Sequence, residues 1–167
     1  MSKATKYVLF VGILIIALGA LLLYARPDGQ NSAGVSIRQE QGTLSADRAV
    51  HDFGTISMKN GNVKTVFNIK NTQAAAVSLN KMYTSCMCTE ATLKIGGTSE
   101  GPFGMPGHGM IRTFDHILQP NEEAEIEVEF NPNAHGPAGV GRIERTVIVE
   151  GSGRELLTVA IKANVVP

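Results

Sequence analysis

The sequence predicts an all-β fold, an immunoglobulin-like antiparallel β-sandwich of about seven strands, preceded by one N-terminal transmembrane helix. Three observations carry this. Apolar and polar residues alternate with a period of two in several short segments, and clusters of Gly, Asn, Asp and Pro punctuate them. One uncharged apolar run stands near the N-terminus.

That run extends from Tyr7 to Tyr24 and, at roughly 1.5 Å per residue, is long enough to cross most of a bilayer's apolar core. Lys3, Lys6 and the amino terminus precede it, whereas Arg26 and Asp28 nearly cancel after it. The positive-inside bias therefore predicts a single-pass protein with a cytoplasmic N-terminus and its bulk in the periplasm or outside the cell. A cleaved signal sequence ending at Ala25 is the competing reading, and it gives the same compartment. Residues 26–46, with P-D-G-Q-N-S-A-G, read as a flexible linker. Residues 47–167 have the length of one domain with one core.

Within that domain, Val50 to Ile56 is a short strand-like piece, and Lys59-Asn60-Gly61-Asn62 supplies turn chemistry. Val63 to Lys70 follows with Thr65, Phe67 and Ile69 on one face, and Val77 and Leu79 begin a third strand toward Tyr83. Ala124 to Phe130 alternates Ile126, Val128 and Phe130 with three glutamates, as a half-buried antiparallel strand requires. Those glutamates read as a solvated face that blunts edge pairing. After N-P-N-A-H-G-P-A-G, Arg142–Glu150 and Glu155–Val165 form a hairpin around G-S-G, with Leu157, Val159, Ile161, Ala163 and Val165 sharing a face.

H-D-F-G-T-I, V-F-N-I-K-N-T, S-C-M-C-T and I-E-V-E-F-N-P together resemble DUF1573, a family of bacterial extracytoplasmic proteins related to ASH-type immunoglobulin-like domains. The resemblance covers about Ala49 to Val165 and implies a sandwich, with no established activity. Met87 stands where the family usually has glycine, and the Gly/Met/His segment from about Gly96 to Arg112 looks like an insertion.

A formal net charge of +0 without a basic cluster argues against a nucleic-acid partner. Aromatic residues make up 5% and Trp is absent, so stacking surfaces for bases or sugars are scarce. Two cysteines are too few for a disulfide scaffold. Ser85 and Thr84 have no identifiable base, and no phosphate-binding glycine motif leads from a strand into a helix. Nothing here looks like an enzyme.

Chemistry concentrates in Y-T-S-C-M-C-T-E and G-M-P-G-H-G-M. Cys86 and Cys88 project from one face of an extended chain. A bond between them would close a very small ring at strained geometry and would be readily reducible. Three readings stand: free thiols in the packing, a redox-active dithiol, or two soft metal ligands. Sulfur ligands favour Cu(I), and imidazole is compatible with it. Met82, Cys86, Met87, Cys88, Met105, His108 and Met110 fall within about thirty residues. Zinc is less suited, with one nearby histidine and thioethers. H-G-M is similar to the His-x-Met pair of PCuAC-type periplasmic copper chaperones, whose longer methionine spacing is not reproduced.

The expected site is therefore Cys86, Cys88, His108 and Met110, with Met105 and Met87 as further donors to Cu(I). The glycine-rich loop would fold back over a strand end at the sandwich rim. Methionines in such a loop also commonly cap a core. Rival readings are a metal-free module that recruits another envelope protein, and a thiol-disulfide protein. The latter lacks a cation beside C-M-C, Lys81 and Lys94 being nearest in the chain. His51 next to Asp52 reads as a local hydrogen bond, His116 as a reserve ligand, and His135 as an exposed turn residue.

Overall fold

The computed structural model describes residues 43–108 and 113–167. The apolar run at 7–24, most of the linker and Met110 lie outside the described residues. Among the described residues, no helix is long and apolar enough to cross a membrane.

The period-two segments become strands, and there are more of them than expected. In order they are β1 (Leu44–Ala46), β2 (Val50–Ser57), β3 (Val63–Asn71), β4 (Val77–Thr84), β5 (Thr89–Ile95), β6 (Thr98–Phe103), β7 (Thr113–Leu118), β8 (Glu123–Phe130), β9 (Gly141–Gly151) and β10 (Arg154–Val166). One five-stranded sheet runs β1-β3-β8-β5-β6 and the other β2-β10-β9-β4-β7. The fold is all-β, as expected, but not wholly antiparallel. Strand β2 lies parallel to β10, with His51 opposite Ile161. The cause is topological: β2 crosses at once to the other sheet as β3, so the neighbour it finally gains is the last strand.

Three departures bear on the site. Strand β1 falls inside the expected linker and pairs with β3, Ser45 opposite Lys70. The stretch 96–112 is only partly a loop. Gly96 and Gly97, at φ +55° and +85°, turn the chain from β5 into β6, and Phe103 ends β6 inside the core. Strand β6 is an edge, where Pro102 costs no ladder hydrogen bond. Finally, the glutamates of β8 do not guard an edge, because β8 is the central strand. Glu127 pairs with Lys94 at 2.7 Å and Lys64 at 3.4 Å, and Glu129 pairs with Lys64 at 2.9 Å. They form a cross-strand charge ladder on the sheet's outer face.

The core lies between the sheets. Phe67, Ile69, Leu93, Ile126 and Val128 from one sheet meet Leu79, Met82, Val147, Val149, Val159 and Ile161 from the other, all fully buried. In β10 a register shift between Glu155 and Leu157 turns Leu156 into the core and leaves Leu157 half-buried. Register also fixes what shares an end. Phe130 stands opposite Val63 on one side and Thr89 on the other, so the turns entering β3 and β5 and the turn leaving β8 emerge together.

Candidate metal centre

The Cys-Met-Cys stretch is the crossing from β4 in one sheet to β5 in the other, at that shared end. Its shape is set from inside by Thr84, which is fully buried. The Thr84 hydroxyl lies 3.0 Å from the Cys86 carbonyl and 2.9 Å from the Thr89 carbonyl. The Thr89 N–H donates to the same Cys86 carbonyl at 3.1 Å. Outside contacts finish the job: Ser85 exchanges hydrogen bonds with the Thr146 backbone on β9, its N–H donating at 3.0 Å and its Oγ accepting at 2.9 Å. The Asn131 N–H donates to the Cys88 carbonyl at 2.9 Å, which ties the corner to the end of β8.

Held in this way, Cys86 and Cys88 have Cα atoms 5.2 Å apart and are joined by a disulfide. Neither is a free thiol in this state. They are 7% and 3% exposed, whereas Met87 at the tip between them is 49% exposed. The sulfurs thus lie just under the rim, with Cys86 nearer the outside.

The turn leaving β8 brings a histidine to them. Asn131 caps the turn by accepting from the Asn133 N–H at 2.9 Å, and the Gly136 N–H donates to the Asn133 carbonyl at 3.0 Å. Gly136 takes φ +54°, a conformation that suits glycine. His135, just before it, ends with Nε2 at 3.2 Å from Cys86 Sγ. Cys86, Cys88 and His135 then each offer a ligand atom, all within 4.8 Å of one another. His135 was expected to be merely an exposed turn residue; it is exposed, and it is also the imidazole at the cysteines.

A cation completes the surroundings. Arg145 on β9 donates from Nε to Cys88 Sγ at 3.3 Å and from Nη1 to the Glu144 carbonyl at 2.8 Å. The two lysines nearest in sequence are engaged elsewhere, Lys81 with Glu150 at 3.0 Å and Lys94 with Glu127 at 2.7 Å. Sequence reasoning missed both His135 and Arg145, because register rather than spacing carries them to the cysteines.

The Gly/Met/His loop does begin at this end, since the Thr84 N–H donates to the Gly104 carbonyl at 3.1 Å. Beyond that point the His108 N–H closes a turn on the Met105 carbonyl at 3.3 Å, with His108 exposed and Met105 half-buried. His108 is not part of the converging trio. Met82 is core, opposite Val149. His51 packs edge-on against Phe53 at 4.5 Å, and the Asp52 carboxylate accepts from the Gly54 N–H at 2.8 Å. Burial first, then the Arg48 charge, lowers the His51 pKa against the opposing pull of Asp52. His116 is half-buried on β7, opposite Leu79.

The family model described as Protein of unknown function (DUF1573) matches residues 44–101, from β1 into β6. No curated protein matches the chain. A protein of unknown function from Porphyromonas gingivalis W83 has a similar fold at TM-score 0.50 and 16% identity, over 74% of this chain and 46% of its own. Secreted serine protease VesC from Vibrio cholerae aligns at TM-score 0.47 and 14% identity, over 76% of this chain and 24% of its own. The ASH / PapD-like domain of human CEP192 aligns at TM-score 0.43 and 10% identity, over 75% of this chain and 86% of that domain. The chain thus spans less than half the length of the first two.

Proposed function

We propose, from the premise that the chain carries a DUF1573 segment at residues 44–101 on an immunoglobulin-like sandwich, that it is a membrane-anchored, extracytoplasmic module that binds Cu(I) for delivery or sequestration. One observation carries the reading: ligand atoms of Cys86, Cys88 and His135 all lie within 4.8 Å of one another at the sandwich rim. Three ligands at about 2.2 Å around one ion stand about 3.8 Å apart, so this trio needs only small shifts once the sulfurs are reduced. Two sulfurs and an imidazole form a soft donor set, suited to Cu(I) and unsuited to Mg or Ca. The exposed Met87 thioether can meet an incoming ion first, and the Met105–His108 segment, which begins beside Thr84, offers a second set of donors for exchange. The anchor and the compartment rest on the Tyr7–Tyr24 run and the lysines before it.

An anaerobic competition titration of the reduced full-length chain in mild detergent against a chromophoric Cu(I) chelator tests this reading. Tight one-to-one uptake is expected, abolished in Cys86→Ser/Cys88→Ser and weakened in His135→Ala. Loss in His108→Ala with none in His135→Ala would move the imidazole ligand to the glycine-rich loop. Absence of uptake would leave a metal-free module that recruits another envelope protein.

A further inference from the structure

The two sulfurs of the disulfide stand in different surroundings, and the asymmetry has a chemical direction. Cys86 is the more exposed, at 7% against 3%, lies between the exposed Ser85 and Met87 in the chain, and has the imidazole of the exposed His135 at 3.2 Å. Cys88 is deeper, and the Arg145 guanidinium, a permanent cation, donates to its sulfur at 3.3 Å. Thiol-disulfide exchange needs a sulfur the attacking thiolate can reach and a leaving sulfur whose negative charge is stabilised.

We infer that the Cys86–Cys88 disulfide exchanges with an external dithiol in a fixed direction, with Cys86 the sulfur attacked and Cys88 the sulfur that leaves against Arg145. An incoming thiolate bonds to Cys86 Sγ, the Sγ–Sγ bond breaks, and its electron pair departs on Cys88 Sγ beside the guanidinium. The dithiol's second sulfur, having given up its proton, then attacks the dithiol's first sulfur in the mixed disulfide, and the bond from that sulfur to Cys86 Sγ breaks. That step releases an oxidised external disulfide and leaves the Cys86 sulfur as a thiolate, 3.2 Å from His135 Nε2, which takes up one of the protons the dithiol released. The balance is one protein disulfide plus one external dithiol to one protein dithiol plus one external disulfide, two electrons passing to the protein. No metal takes part. The step lies beyond the copper reading and is also the one that would open the trio to an ion.

The test uses the oxidised full-length chain under argon with a metal chelator present, and counts alkylated cysteines by mass after timed exposure to dithiothreitol in one arm and to reduced thioredoxin in another. Both cysteines are expected to become alkylated in the native protein. Reaction with thioredoxin would identify the source as a protein dithiol, and reaction with dithiothreitol alone a small one. Arg145→Gln is expected to slow reduction about tenfold, the scale of one lost charge-assisted hydrogen bond, with Arg145→Lys recovering part of the rate. Cys88→Ser, which leaves Cys86 free, is expected to react with glutathione disulfide faster than Cys86→Ser, which leaves Cys88 free. A native disulfide untouched by either dithiol, while urea-unfolded protein is fully reduced, would overturn the inference. An Arg145→Gln rate equal to wild type would overturn the assigned direction.

Discussion

Thr84→Val would replace a hydroxyl by a methyl of nearly the same size at a position with no exposed surface, so no cavity is created and the change isolates one polar group. The hydroxyl has one proton and two carbonyl neighbours, Cys86 at 3.0 Å and Thr89 at 2.9 Å. Cys86 keeps a second donor in the Thr89 N–H at 3.1 Å, so what is lost is one buried hydrogen bond and part of the satisfaction of the Thr89 carbonyl. One net hydrogen bond plus partial desolvation of a carbonyl amounts to about 1–2 kcal/mol. For a domain of this size that lowers Tm by roughly 4–8 °C. Thermal unfolding followed by circular dichroism on the full-length chain measures it. Because the same hydroxyl sets the corner that carries the sulfurs, Cu(I) uptake should weaken in parallel. A midpoint within experimental error of wild type, with unchanged uptake, would refute the claim that Thr84 builds the corner.

Further consequences can be checked on the same protein. Tyr83 donates to Glu150 at 2.7 Å, and that hydrogen bond, reinforced by burial and the Glu150 charge, pushes the phenol up to about 12. Glu150→Gln should bring its ionisation back toward 10, read at 295 nm as the difference from Tyr83→Phe; an unchanged curve would remove Glu150 as the cause. Glu127 is held below the usual carboxylate range by Lys94 and then Lys64, Glu129 by Asn62 and then Lys64, and Glu150 by Tyr83 and then Lys81. Depressed carboxylates make the unfolded chain take up protons first, so their stabilisation is present above about pH 4.5 and is lost as pH falls through the lower folded values. Urea midpoints measured from pH 7 to 3 should fall less steeply in Glu127→Gln/Glu150→Gln, and equal slopes would count against these pairings. At Gly151 a Cβ would overlap the Ser78 carbonyl and crowd Leu156. Gly151→Ala should therefore destabilise the fold by about 1–3 kcal/mol, and a neutral result would mean that β4 and β9 yield easily.

Much of the fold was legible because strands buried on one face must alternate, and β3, β8 and β9 do so plainly. Strand β6 was not read because glycines 96, 97 and 101, Pro102 and the methionines that follow resemble a loop, although β6 is an edge strand that tolerates glycine and proline. The parallel β2–β10 pair carries no local signal, since register between the ends of a chain is a property of the whole topology. The site divides in the same way. Its sulfurs were visible as C-M-C, whereas His135 lies 49 residues from Cys86 and Arg145 lies 57 from Cys88. Only the pairing of Thr89 with Phe130 reveals that the turn after β8 ends at the cysteines. His108, in contrast, was close in sequence and is absent from the trio.

Copper K-edge X-ray absorption on the reduced, Cu(I)-loaded full-length chain tests the central claim most directly. The expected spectrum is three-coordinate, with two sulfurs near about 2.2 Å and one imidazole nitrogen near about 2.0 Å, and with the nitrogen shell lost in His135→Ala but kept in His108→Ala. A spectrum with no imidazole shell, or one whose imidazole survives His135→Ala, would contradict a copper site built from Cys86, Cys88 and His135.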